Sequence, residues 1–140
     1  MNRFSAVIEA VESSAHVSWI RLRAGGHRLS ALVLETPDRA PYLREGETVT
    51  VLIKETEVAL ARDLSGAISL RNRLDGTVTA VERGAVLARV AIDSGGLKLT
   101  SVITARSAGE LALAPGVAVT ALIKSNEVSL APTDASGERR

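Results

Sequence analysis

Lys54 and Lys124 are two of the three lysines in a chain of 140 residues, and each directly follows Leu-Ile. A lysine fixed at the end of a strand offers a cation whose N–H groups suit an anion. The ordinary alternative is a polar strand end turned to water. Lys124 is followed by Ser125 and Asn126, whereas Lys54 is followed by Glu55 and Thr56. A hydroxyl can donate to an anion; a carboxylate repels one. The contrast recurs at other places related by a shift of 70 positions. Ser69 and Arg71 have no counterpart ahead of Met1-Asn2, Thr104 is matched by Leu34, and Ser107 by Pro37. Ser69, Arg71, Thr104, Ser107, Lys124 and Ser125 therefore form a set of hydroxyls and cations of the kind an oxyanion needs. Lys54 is a second cation of the same type, with those partners lost around it.

No enzyme constellation accompanies these residues. Cysteine is absent, which removes disulfides and thiolate metal sites. His16 and His27 stand apart from any serine or carboxylate pattern, so no catalytic residue is assigned. No set of side chains reads as a site for a bare metal ion. Gly25-Gly26 and Gly95-Gly96 could cradle a phosphate, but a hairpin turn is the better reading. The net charge of +1 is too balanced for a general nucleic-acid binder. No apolar run reaches the length of a membrane span, and no signal peptide opens the chain. A cytoplasmic protein that touches neither nucleic acid nor membrane is the default.

The elements that position these residues come in two copies. Shifting the chain by 70 lays Asn2–Ala61 on Asn72–Ala131 without a gap. Identities include Asn2/Asn72, Gly25-Gly26/Gly95-Gly96, Gly46/Gly116 and Leu52-Ile53-Lys54/Leu122-Ile123-Lys124. A repeat of this length means two copies of one small domain. The copies are placed at 1–64 and 67–132, with a polar tail over 133–140. In the second copy, alternation and turn residues predict strands over Thr77–Val81, Val86–Ile92, Leu97–Thr104, Val117–Lys124 and Val128–Ala131. Ser107 with Glu110 reads as a capping box and predicts a helix over Ala108–Leu113. The first copy repeats the plan, with a helix of about one turn after Thr36-Pro37. Five short strands and one short helix per copy suit an all-β fold of two tandem OB-like Greek-key barrels. Aromatic residues make up only 2% of the chain, so the core falls to Val, Leu, Ile and Ala. Copies this small need further burial, either on each other or in an oligomer.

Ser69-Leu70-Arg71-Asn72 and the residues to Val86, then Leu99–Leu113, then Val119–Ala131, resemble the Mop domain. This is the small molybdate-binding module also called TOBE-type. The usual opening of the module is Ser-Ala-Arg-Asn, so Leu70 is a mild departure. The first copy fits through its glycines and Leu-Ile-Lys. The resemblance implies an OB-like barrel and oxyanion sites between domains or subunits. It implies molybdate or tungstate as the ligand, with the metal bound as its oxyanion, and a homo-oligomer, a trimer. The positions it carries over are Ser69, Arg71, Thr104, Ser107, Lys124 and Ser125, with Lys54 alone matching in the first copy. A chain that begins at Met1 and holds only two copies resembles the free-standing storage members. The alternative is a regulatory module of a molybdate importer ATPase or a molybdate-responsive repressor.

Overall fold

A computed structural model describes residues 1–133. The first repeat forms β1 (Asn2–Ser14), β2 (Val17–Ala24), β3 (His27–Val33), β4 (Thr48–Ile53) and β5 (Ala59–Ala61). The second forms β6 (Asn72–Arg83), β7 (Leu87–Ser94), β8 (Leu97–Thr104), α1 (Ala105–Glu110), β9 (Ala118–Ile123) and β10 (Ser129–Pro132). A single 3-10 turn follows each Leu-Ile-Lys, at Glu55–Glu57 and Ser125–Glu127. Of the tail expected over 133–140, only Thr133 lies within the described residues; its hydroxyl donates to the Thr48 carbonyl at 2.9 Å.

These elements build two compact units that cut across the repeats. Unit 1 is Met1–Ile53 with the chain from Lys124 onward; unit 2 is Lys54–Ile123. Each barrel thus takes its last short strand from the other repeat. In unit 1 the strand order is β10-β4-β1-β2-β3, and in unit 2 it is β5-β9-β6-β7-β8. Every neighbouring pair is antiparallel. The turn Ser125–Glu127 packs on β3 in unit 1, and Glu55–Glu57 packs on β8 in unit 2. Each circuit thereby closes as a five-stranded Greek-key barrel. The boundaries 1–64 and 67–132 describe the sequence repeat, not the packed bodies. Lys54–Ala61 and Lys124–Ala131 are identical at five of eight positions, so the repeat pattern alone does not say which barrel each completes.

Alternation sets the inner faces. In unit 1, Ile8, Ile20, Leu22, Val49, Val51 and Ile53 are buried. In unit 2, Val78, Ala88, Val90, Ile92, Ala108, Leu113 and Val119 make one apolar cluster. The first strand of each barrel carries a bulge at the same place, between Ile8 and Ala10 and between Val78 and Ala80. The bulge shifts the alternation there and lets a long strand bend around the barrel. Gly95 and Gly96 have φ of 55° and 95°, which a two-residue hairpin with both central residues left-handed requires. At Gly76 the strands approach so closely that a Cβ would stand 2.8 Å from the Asp93 carbonyl oxygen.

Two helix expectations change. α1 begins at Ala105, not Ala108, because Thr104 takes the cap: its Oγ1 accepts the Ser107 N–H at 3.0 Å. In the first copy the chain after Thr36 makes a single turn, with Arg39 and Ala40 N–H both donating to the Thr36 carbonyl. No helix follows in that copy, since Pro41 cannot donate to continue one. The short helix is therefore a feature of unit 2 alone among the described residues.

Candidate functional site

Five of the seven candidate residues fall in unit 2. Thr104 ends β8 and Ser107 sits in the first turn of α1. Besides accepting the Ser107 N–H, the Thr104 hydroxyl donates to Ser107 Oγ at 2.8 Å. Ser107 Oγ is thus an acceptor toward Thr104 and keeps its own proton to give elsewhere. Its backbone N–H is already taken by Thr104 Oγ1, so the amide is not free for an anion. Ser107 lines a cleft of about 300 Å³ with Ala59, Leu60, Ile103, Glu110 and Leu111. That cleft lies between β5 and α1, so the exchanged segment forms one of its walls.

Ser69 and Arg71 lie on the approach to β6, and both are exposed. The Arg71 guanidinium folds back on its own chain: Nε donates to the Ser69 carbonyl at 3.2 Å and Nη2 donates to the Ile68 carbonyl. These bonds hold the side chain to the 68–71 loop. Lys54 is exposed and immediately precedes its turn, whose Glu57 N–H donates to the Lys54 carbonyl at 2.9 Å.

Lys124 and Ser125 fall in unit 1. Lys124 is exposed and precedes a turn of the same form, with Glu127 N–H donating to its carbonyl at 2.9 Å. Ser125 Oγ lies 2.7 Å from the Oγ of Ser30, a buried residue of β3 in the first repeat. The sequence reading joined Lys124 and Ser125 to Arg71, Thr104 and Ser107 because all belong to the second repeat. The exchange divides that set between the two compact units. The lysine that shares a unit with Arg71, Thr104 and Ser107 is Lys54.

One pair escaped the sequence reading. Arg89 on β7 places Nη2 3.5 Å from Glu55 Oε2. Arg89 stands where the first copy has Trp19, so the signal was there as a charge gained at a repeat position. Arg89 also lines a cleft of about 410 Å³ with Glu82, Arg83, Leu87 and Val102. Among the described residues, no group of three or more His, Asp or Glu is placed to hold a metal ion. No helix there is long and apolar enough to cross a membrane.

Comparison with known proteins gives these residues a context. Residues 68–130 match the TOBE domain. The crystal structure of the cytoplasmic molybdate-binding protein ModG, with molybdate bound, superposes with a TM-score of 0.89. That protein is 35% identical, and the alignment covers 94% of this chain and 95% of ModG. The molybdenum transport protein ModE of Herbaspirillum seropedicae is 34% identical over 133 residues, which is 93% of this chain and 49% of ModE. The molybdenum-pterin-binding protein MopA of Rhodobacter capsulatus is 44% identical over 108 residues, 76% of this chain and 41% of MopA. The chain spans about half the length, or less, of these two curated relatives.

Proposed function

The chain belongs to the TOBE domain family in its tandem Mop form, and from that membership we propose that it binds molybdate or tungstate as the intact oxyanion. The observation that carries this reading is the likeness to molybdate-bound ModG along nearly the whole of both chains, both repeats included. The chemistry of the candidate residues supports it. A tetrahedral dianion is held by converging hydroxyls, N–H groups and a small number of cations. Lys54, Lys124, Arg71, Ser69, Ser107 and Ser125 are of those types, and Thr104 orients Ser107. The division of the candidates between two units suits sites completed by another subunit, in a homo-oligomer we propose to be a trimer. The role is storage or buffering of the anion in the cytoplasm, without catalysis.

Titration calorimetry with molybdate, tungstate, sulfate and phosphate tests the reading. Molybdate and tungstate are expected to give heat and to raise the melting temperature, because a ligand bound only by the folded state stabilises it. Absence of both signals at saturating molybdate would sink it. Sedimentation run alongside reports the oligomer, and a monomer that still binds the anion would rule out intersubunit sites. A regulatory role is the second reading, favoured by the match to ModE over about half of that protein's length. A DNA-binding or ATPase segment in the same reading frame would establish that role instead.

A further inference from the structure

We propose that Glu55, held by Arg89, is a resident carboxylate that closes the turn after Lys54 to oxyanions, whereas Ser125 leaves the matching turn after Lys124 open. The inference rests on the oxyanion-binding reading and adds what sets the number of anions a chain takes.

The two turns share one backbone frame. Lys54 has φ −64° and ψ 140°; Lys124 has φ −70° and ψ 140°. In each, the N–H three residues on donates to the lysine carbonyl at 2.9 Å. Each turn packs on the third strand of its barrel, β8 or β3. The frames being equal, the difference lies in side chains. After the lysine stands Glu55 in unit 2 and Ser125 in unit 1. On the second strand of the barrel stands Arg89 in unit 2 and Trp19 in unit 1. The carboxylate and the guanidinium occur together in one unit and are absent together from the other. In unit 2 they form an ion pair at 3.5 Å, with the Glu55 side chain only 22% exposed. In unit 1 the residue after the lysine is uncharged, both turns ending alike in Glu57 or Glu127, and Ser125 Oγ meets Ser30 Oγ at 2.7 Å.

The consequence is electrostatic. Arg89 Nη2 stands 3.5 Å from the protein's own carboxylate, which competes with any ligand anion for it. A dianion drawn to Lys54 meets a fixed negative charge on the next residue, and like charges a few ångström apart repel well above thermal energy even in partly screened surroundings. At Lys124 the neighbouring side chain is a hydroxyl, which can donate to the anion. The pair is exposed on its arginine side, so it contributes little to stability. Glu55→Ser also installs in unit 2 the residue that the equivalent turn of unit 1 already carries. The variant is therefore expected to fold.

The test is calorimetric titration of the full chain with sodium molybdate, using wild type, Glu55→Ser, Glu55→Gln and Ser125→Glu, with melting temperature and native mass recorded for each. Both Glu55 variants are expected to bind more molybdate per chain than wild type, or to bind about tenfold or more tightly at the weakest class of site. Ser125→Glu is expected to bind less. Glu55→Gln keeps the side-chain shape and decides the matter if the serine variant folds poorly. Unchanged stoichiometry and affinity in the Glu55 variants, on protein of unchanged mass, would overturn the proposal while wild-type binding kept the oxyanion reading intact. A silent wild type would overturn that reading instead. Heat from the Glu55 variants alone would then still support the closed turn, and silence from all would overturn both.

Discussion

At the scale of single residues, the two lysines separate despite their shared motif. Lys124 has a hydroxyl neighbour and Lys54 a carboxylate neighbour held by Arg89. Lys124→Ala is expected to weaken molybdate binding tenfold or more, since hydrogen bonds to a charged group contribute roughly 1.5–3 kcal/mol each. Lys54→Ala is expected to change affinity much less. Titration of both variants at unchanged oligomeric mass checks this, and equal losses would contradict it. Tyr42, the only tyrosine, offers a second measurement. Burial, and then the Glu35 carboxylate that its hydroxyl bonds at 3.1 Å, push its pKa up to about 12. The raised value favours the neutral phenol in the folded state. The stability this contributes is complete below the ordinary tyrosine value near 10 and is lost as pH rises toward 12. Ultraviolet absorbance of the folded protein should show the phenolate appearing near pH 12; a midpoint near 10 would mean that neither the burial of Tyr42 nor its Glu35 contact persists in solution.

At the scale of elements, the start of α1 carries a helix cap and two of the proposed site residues. Thr104 caps the helix and positions Ser107 through two hydrogen bonds. Thr104→Ala is expected to cost about 1 kcal/mol of stability, the usual worth of an N-cap. It should also weaken molybdate binding, because Ser107 loses the group that orients it. Ser107→Ala keeps the backbone part of the cap and should lower affinity with a smaller change in stability. Denaturant melts paired with titrations separate the two effects, and an undiminished affinity in both would remove this helix start from the site. The element was legible in the sequence only in part. Ser107 and Glu110 matched a capping pattern, but Thr104 lies three residues earlier and its Oγ1 takes the Ser107 N–H, so the helix starts one turn sooner. Strands were easier, because Val86, Ala88, Val90 and Ile92 alternate cleanly and the Gly95-Gly96 turn fixes their register with β8. The early part of β6, before Thr77, was missed, since Asn72, Arg73 and Asp75 look polar and become strand only by pairing with β9. The hydroxyls and cations of the candidate site were legible as residue types. Their grouping was not, because it depends on which barrel each terminal segment completes.

At the scale of the whole molecule, that exchange yields the sharpest expectation. Lys54–Ala61 and Lys124–Ala131 share Leu60/Leu130, Val58/Val128, Glu57/Glu127 and the leading lysine, so nothing in their pattern tells which barrel each will close. Connectivity decides it: β5 pairs with β9, and β10 with β4. A fragment cut at the repeat boundary, 67–133, therefore lacks the strand that finishes unit 2 and carries β10, whose partner strand it does not contain. A fragment cut at the packed boundary, Lys54–Ile123, holds β5 to β9, α1 and the turn on β8 within one compact unit. It also keeps the Ser101 hydroxyl bond to the Val58 carbonyl at 2.6 Å, which ties β8 to the segment leading into β5. Both fragments have nearly the same length and apolar content, near the lower limit for an independent core. Size and composition alone would therefore rank them equal. The exchange ranks them differently: 54–123 should unfold cooperatively as a monomer, while 67–133 should be unfolded at low concentration or fold only by pairing its β10 with another chain. Circular dichroism melts over a range of protein concentrations, with sedimentation, distinguish these behaviours. A stable monomeric 67–133 would show that each repeat can close on its own strand and that the exchange is not what completes the barrel.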